Sequence, residues 1–572
     1  MSIMTTPPPT TCYDLIVLGS GAGGLATAVT AAYFGLKVVV LEKAEVVGGT
    51  SAWSGGWLWV PGNPLAQQAG IQETIAEPLA YLSSQLGLAA DNPKIRRFLE
   101  VAPAMVEFFQ THTAVRFIDG NQIPDFYPVA GSARGGRSVC AAAFDGRELG
   151  AAIKDLRPPL SVISLAGMGI ASGQDLRHFY QASRSLASAY YVLKRLGKHA
   201  WDLLRYQRSM QLVNGNALVA RLLKSALDQG VEYHTQVQVL ELVKHGERIS
   251  GVKITAQGQT QILFAKQAVV LATGGFPHDL ARQAQWFRPE NGRQHYSAAP
   301  NTNTGDGIQF AEQLGAQLSN FVQAGAWSPV SLVPTRRGEL LHFPHLIDRA
   351  KPGIIAVLPN GQRFVSEADS YHEFMTQLFK ATPAAQEPYC WLIADHRAQR
   401  RWGLGWAKPF PFPLYPYLKS GYLKRANSLQ DLAAQCGIDA NQLTATLKTF
   451  NADALQGRDN QFQRGESPYN RIQGDPEHTP NPCLAPLTQA PFYAVKLVAG
   501  SLGTFAGITT NENAQVLNSK QQIIEGLFAV GNDMASIFQG HYPSGGITLG
   551  PAMTFGYVIG CTLANQALTP SS

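Results

Sequence analysis

Between residues 13 and 42 the spacing of apolar positions changes twice. A solid apolar run, Leu15 to Leu18, gives way to an Ala-rich stretch, and a second run follows from Val38 to Leu41. Short continuous runs of this kind predict strands buried on both faces, joined by a crossover helix. Further along, Gly215 to Leu227 places Leu and Ala at three- and four-residue spacing, which predicts a helix ended by Gly230. Strands are predicted over 237–243, 249–255 and 261–264, returning to a buried run that starts at Val269. A last strand is expected from Gly526, and a last helix from Ile547 to Leu549 onward. This order of elements predicts an α/β protein built on a parallel sheet.

The turn after the first run contains Gly19, Gly21, Gly23 and Gly24, and the second run ends at Glu42 with Lys43 beside it. Glycines in this spacing let a pyrophosphate approach the helix N-terminus, where the dipole favours anions. A carboxylate at the end of the second strand is placed to accept hydrogen bonds from ribose hydroxyls. The pattern predicts a Rossmann-type dinucleotide-binding domain. At 572 residues the chain is too long for one core. The expected division is a cofactor domain over 1–278, interrupted by a helical excursion at about 85–210. An inserted α+β substrate domain over 279–490 follows, and the cofactor domain resumes over 491–572. The run Trp406 to Tyr417, alternating aromatics with prolines, reads as a loop over apolar surface.

Composition narrows the function. An apolar content of 45% with 15% charge is that of a folded, core-forming protein. A net charge of +6 over this length gives no case for nucleic acid, and no motif for it is present. The six cysteines are widely spaced, with no C-x-x-C pair, so neither a metal site nor a disulfide framework is expected and the protein reads as cytoplasmic. Residues 1–11 have no signal-peptide layout and read as a disordered tail. No run reaches the roughly 20 apolar residues of a membrane span. Arg177 to Arg208, however, has seven basic residues against one acid, with Tyr180, Tyr190, Tyr191 and Trp201 among them. This reads as a solvated helical face, or as a peripheral contact with a membrane surface.

Behind Glu42 comes a second glycine-rich loop, G-G-T-S-A-W-S-G-G-W-L-W-V-P, containing Gly49, Thr50, Ser51, Ser54, Gly55 and Gly56. It resembles the loop that lies along the pyrophosphate and flavin in the fumarate reductase and ketosteroid dehydrogenase superfamily. Two more segments are similar to that superfamily: 269–276, with Ala272 and Gly274, and 526–533, with Asn532 and Asp533, the latter expected near the ribityl chain. The resemblance implies FAD. The attachment is expected to be non-covalent, because the loop offers Thr50 and Ser51 where tethering relatives have a histidine.

Near the C-terminus, H-Y-P-S-G-G-I-T-L-G-P-A-M-T-F-G-Y (541–557) is very similar to a signature of the 3-ketosteroid Δ1-dehydrogenases, and Ser138 to Gly150 adds to the resemblance. It implies that Tyr542 O–H and the Gly546 N–H hold a ketone oxygen, while Ile547 and Leu549 open a helix facing the flavin. Two such donors make the carbon beside the ketone acidic, each contributing about 3 kcal/mol. Tyr371, fourth after the glutamate of Arg363-Phe-Val-Ser-Glu367, matches the tyrosine that removes the proton in this family. Fumarate reductases have an arginine there, and their other substrate cations are also missing here. A second tyrosine assists in the family, and either Phe126 or Tyr127 could occupy its position; Tyr127 is taken as the candidate. His372 either tunes Tyr371 or packs. The polar run Arg336, Arg337, His342, His345 and Arg349 reads as a surface loop. The implied reaction is 1,2-desaturation of an apolar 3-ketosteroid, with a quinone as electron acceptor. Desaturation at the 4,5 bond, reduction of an unsaturated acid and a non-enzymatic flavoprotein scaffold are the alternatives.

Overall fold

A computed structural model describes residues 12–87, 91–287, 294–335, 338–383 and 386–568. The N-terminal tail, Arg336 and Arg337 lie outside the described residues.

The first sheet has the strand order Gln515–Leu517, Ile523–Ala529, Gln259–Leu271, Cys12–Leu18, Val38–Leu41, Glu232–His234. Ile16 sits between Val39 and Val269, both pairings parallel. Its central strands are buried on both faces, as their unbroken apolar runs require. Helices Ala22–Tyr33 and Leu549–Leu563 pack on each other against this sheet, with Pro93–His112 behind the latter. The strands expected at 261–264 and from 269 are one strand, Gln259–Leu271. Its first half pairs antiparallel with Arg248–Ala256 and alternates between exposed and buried, and its second half runs parallel to Cys12–Leu18 and is buried. One strand serves two environments, which is why its pattern breaks midway.

The second sheet is antiparallel, in the order Leu340–Pro344, Val330–Pro334, Phe492–Val498, Tyr389–Ala394, Ile354–Val357, with Lys424–Ala426 also on Phe492–Val498. This corrects the boundary expected at 491. Phe492–Val498 lies within the second sheet, and the chain rejoins the first sheet only at Gln515–Leu517. Its apolar pattern does not say which of two sheets it joins. Within the expected excursion, Phe117–Asp119 and Ser138–Ala141 form a small sheet with Trp57–Trp59. Helices Gln174–Gln181 and Leu186–Tyr206 follow. The run 406–417 is loop until a short helix begins at Tyr415–Lys419, and Lys408 to Phe412 line the main cavity.

Candidate active site

One large cavity of about 1630 Å³ runs from the glycine turns of the first sheet to the second sheet. This exceeds the roughly 300–1,000 Å³ of a single-ligand pocket, which leaves room for a cofactor and a substrate together. Of the residues assigned from sequence, Tyr127, Asp533 and Ile547 do not line it; the others do.

At one end the wall is main chain. A Cβ on Gly24 would lie 2.1 Å from the Gly19 carbonyl oxygen, so the turn closes only without one. Glu42 Oε2 accepts from Ser20 N (3.1 Å) and Ser20 Oγ (2.5 Å), and Oε1 accepts from Ala44 N (2.8 Å), which fixes the carboxylate at the cavity edge. Lys43 pairs with Asp306 at 2.8 Å. The second glycine loop is laced to the first: Ser51 Oγ accepts from Ala22 N at 3.0 Å, and Ser54 Oγ donates to the Ser51 carbonyl at 2.8 Å. Thr50 Oγ1 accepts from Asn303 Nδ2 at 3.0 Å. Bare glycines, a helix N-terminus and a fixed carboxylate together fit a dinucleotide, with the pyrophosphate at the helix and the ribose at Glu42.

Asp533 stands differently from its expected place. Its carboxylate accepts from Thr273 N (2.5 Å) and Gly275 N (2.8 Å), pinning the turn that holds Gly274, and Asn532 borders the cavity instead. Burial pushes the Asp533 carboxyl up to about 6, even against these donors. Ile547 is core, and Thr548 and Leu549 face the cavity in its place.

At the other end the wall is aromatic. The Tyr371 and Tyr542 rings meet edge to face at 5.0 Å, close enough for their hydroxyls to act on each other. Phe126 stacks on Tyr542 at 5.8 Å and lies 4.4 Å from Tyr469, which lines the cavity as well. Phe126, not Tyr127, therefore stands beside Tyr371. Tyr127 does not line the cavity, and Ser370 is near its hydroxyl. Sequence reasoning did not find Tyr469: a tyrosine in the first turn of the short helix Pro468–Gln473 has no local mark of function.

Several contacts fix this cluster. Phe126 N donates to the Pro543 carbonyl at 3.0 Å, joining the segment before Tyr127 to the Tyr542 loop. Asp125 accepts from Trp59 Nε1 (2.9 Å) and Arg137 Nη1 (2.6 Å), and Arg137 also holds Glu73. Gly546 has φ +97°, and a Cβ there would lie 2.7 Å from the Trp57 carbonyl oxygen. Its carbonyl accepts from Trp59 N at 3.1 Å, while among the described residues its N–H meets no acceptor. His372 Nδ1 accepts from Trp327 N at 3.3 Å and its ring lies 5.6 Å from Tyr542, so it packs and is held neutral, at about 3, chiefly by burial.

Burial pushes the Tyr371 hydroxyl well above its ordinary range, reinforced by the neighbouring tyrosines, and brings Tyr542 up to about 12. Two features favour the Tyr371 anion. It is the first residue of helix Tyr371–Ala381, at the positive end of the dipole. Arg349 adds a positive charge that acts in the same direction. The surface loop expected around Arg349 is in fact core. Arg349 is 1% exposed, and it donates to the carbonyls of His345 (2.9 Å) and Glu367 (2.8 Å). His345 is buried on Asp348 at 2.7 Å. Glu367 is clamped by Arg363 and Arg464, at 2.7 and 2.8 Å, and lies at about 2 although burial alone would raise it.

This architecture is that of the FAD-binding flavoproteins, and the chain belongs to that family: its model, described as the FAD binding domain, matches residues 14–549. The protein is an FAD-dependent oxidoreductase with 3-oxosteroid 1-dehydrogenase homologues. It is 36% identical to a 4-oxocyclohex-2-ene-1-carboxylate 5-dehydrogenase from Sinomonas cyclohexanicum, over 98% of this chain and 95% of that protein. It is 33% identical to a 3-oxosteroid 1-dehydrogenase of Mycobacterium tuberculosis, over 97% and 99% of the two chains. Among solved structures it is similar to the 3-ketosteroid Δ1-dehydrogenase of Sterolibacterium denitrificans in complex with 1,4-androstadiene-3,17-dione. That likeness has a TM-score of 0.89 at 33% identity and covers 97% of this chain and all of the other.

Proposed function

We propose that this protein desaturates the C1–C2 bond of a 3-ketosteroid. Tyr542 O–H and the Gly546 N–H hold the ketone oxygen as charge builds on it, and Tyr371 takes the proton from C2. When bound, without a covalent link, FAD supplies the hydride acceptor. The observation that carries this reading is the edge-to-face Tyr371–Tyr542 pair, 5.0 Å apart, on the wall of the cavity that Gly546 also lines. Phe126 has no hydroxyl, so Tyr469 assists Tyr371 in place of the family's second tyrosine. The relatives agree on chemistry rather than size, since a 3-oxosteroid and a 4-oxocyclohexene carboxylate are both enolisable ring ketones.

The protein reads as cytoplasmic with a peripheral membrane contact, and a quinone is its electron acceptor. Helix Leu186–Tyr206 supports the membrane contact: Leu186 is 91% exposed, Tyr190 72% and Leu204 83%, among exposed Lys194, Lys198 and Arg205. No helix among the described residues is long and apolar enough to cross a bilayer. Sedimentation with anionic vesicles, but not zwitterionic ones, is expected.

The test of function is incubation with a 5α-3-ketosteroid and an artificial electron acceptor, followed by location of the new double bond. A C1–C2 bond is expected, with turnover reduced about 10²–10⁴-fold in Tyr371→Phe. A product desaturated at 4,5 would overturn the regiochemistry, and absence of flavin bleaching by any 3-ketosteroid would overturn the reading.

A further inference from the structure

The cations that border the cavity differ in how their charge is used. Lys43 is paired with Asp306, and Arg177 faces Glu477 at 3.3 Å. Arg401 lies between Asp475 and Glu477, at 3.9 and 3.8 Å, and donates to the Tyr180 carbonyl. Lys351 donates to the carbonyls of Gln473 (2.7 Å) and Gly474 (2.8 Å). Lys408 is the exception. Its ammonium has one long hydrogen bond, 3.3 Å to the Ser164 carbonyl, and no carboxylate within 4.0 Å among the described residues. An ammonium has three donors, and a half-buried one left unpaired is costly.

Leu165, Trp402, Pro409 and Phe412, none of which can pair with an ammonium charge, line the same cavity. Asp348, also on the wall, holds His345 and Gly405 N (3.1 Å) through Oδ2 and makes no ion pair with Lys408. Nor does Lys408 belong to the tyrosine cluster that holds the ketone. A cation on the cavity wall with no counter-charge is a second polar point, apart from the ketone donors, that can fix a second polar group of the ligand.

We infer that the substrate has a carboxylate as well as its ring ketone, and that Lys408 binds that carboxylate. This deepens the proposed ketone oxidation and rests on it. The substrate is then an anionic ring ketone, oriented by two anchors: the Tyr542–Gly546 donors at the ketone and Lys408 at the acid. Burial, which alone lowers the Lys408 pKa, is offset when the carboxylate arrives.

The test compares two acids with their methyl esters: 4-oxocyclohexane-1-carboxylate and 3-oxo-5α-cholan-24-oate. Wild-type enzyme is expected to prefer at least one acid over its ester in kcat/KM. Lys408→Met is expected to reduce that preference about tenfold or more, through KM rather than kcat, the loss of one charge-assisted hydrogen bond. Lys408→Arg is expected to restore most of it. An acid-to-ester ratio that is the same in wild type and Lys408→Met would overturn the inference. Titration of the dithionite-reduced holoenzyme with each acid, followed by flavin absorbance, reports Kd without turnover. If no ketone is oxidised, the functional reading fails, while the Kd ratio between wild type and Lys408→Met still decides the role of Lys408.

Discussion

Where the cavity meets the first sheet its wall is backbone, and where it meets the second its wall is aromatic rings. The backbone end comes from short stretches: Gly19 to Gly24, Glu42 and Gly49 to Gly56 lie within 38 residues of one another. The aromatic end gathers Phe126, Tyr371, Tyr469 and Tyr542 from four distant segments. A cradle made of amides and missing side chains can be written locally. A cluster of rings brought together from distant segments cannot, because its geometry exists only after those segments have packed. The two ends should therefore fail in different ways.

The largest effect is expected from Gly24→Val. Its Cβ would enter the space of the Gly19 carbonyl, 2.1 Å away, so the purified variant should lose nearly all flavin absorbance. Full retention of FAD would remove the cradle. Next, Tyr542→Phe keeps the ring and deletes one donor. It should keep its flavin and lose about 10²–10³-fold in kcat, the range for one oxyanion donor. A tenfold loss or less would show that the hydroxyl does not hold the ketone.

Tyr469→Phe is a finer probe. If Tyr469 assists Tyr371, the alkaline rise in kcat should move to higher pH with flavin content unchanged, whereas a purely packing role leaves the pH profile in place. The smallest effect concerns acid. His372, at about 3 in the fold, contributes stability that is present above about pH 6.5 and is lost as pH falls. Glu367, at about 2, contributes stability present above about pH 4.5 and lost below it. Asp533, raised to about 6, has the opposite sign and gains as pH falls through 6. Hydrogen exchange near pH 4.5 should therefore show peptides covering 363–375 losing protection before those covering 272–276. Equal loss in both would contradict the assigned shifts.

Much of this was legible in the chain. The strands, the crossover helix, the glycine turns and Glu42 follow from local spacing, because pyrophosphate binding constrains consecutive residues. That Tyr371, Tyr542 and Gly546 would meet on one cavity wall was legible through the motifs around them. The place of Tyr469 was not, since it is set by a ring contact with Phe126, 343 residues earlier. Arg349 was misread as a surface residue because its partners are backbone carbonyls, which leave no mark in sequence. The strand Phe492–Val498 was misassigned for a similar reason: an apolar pattern shows burial, not which sheet does the burying.

The most direct measurement is a crystal structure with a 3-ketosteroid bound beside FAD. The ketone oxygen is expected about 2.7–3.1 Å from both Tyr542 Oη and Gly546 N, with C2 facing Tyr371 Oη. A ketone bound elsewhere in the cavity, with neither Tyr542 Oη nor Gly546 N in hydrogen-bond reach of it, would contradict it.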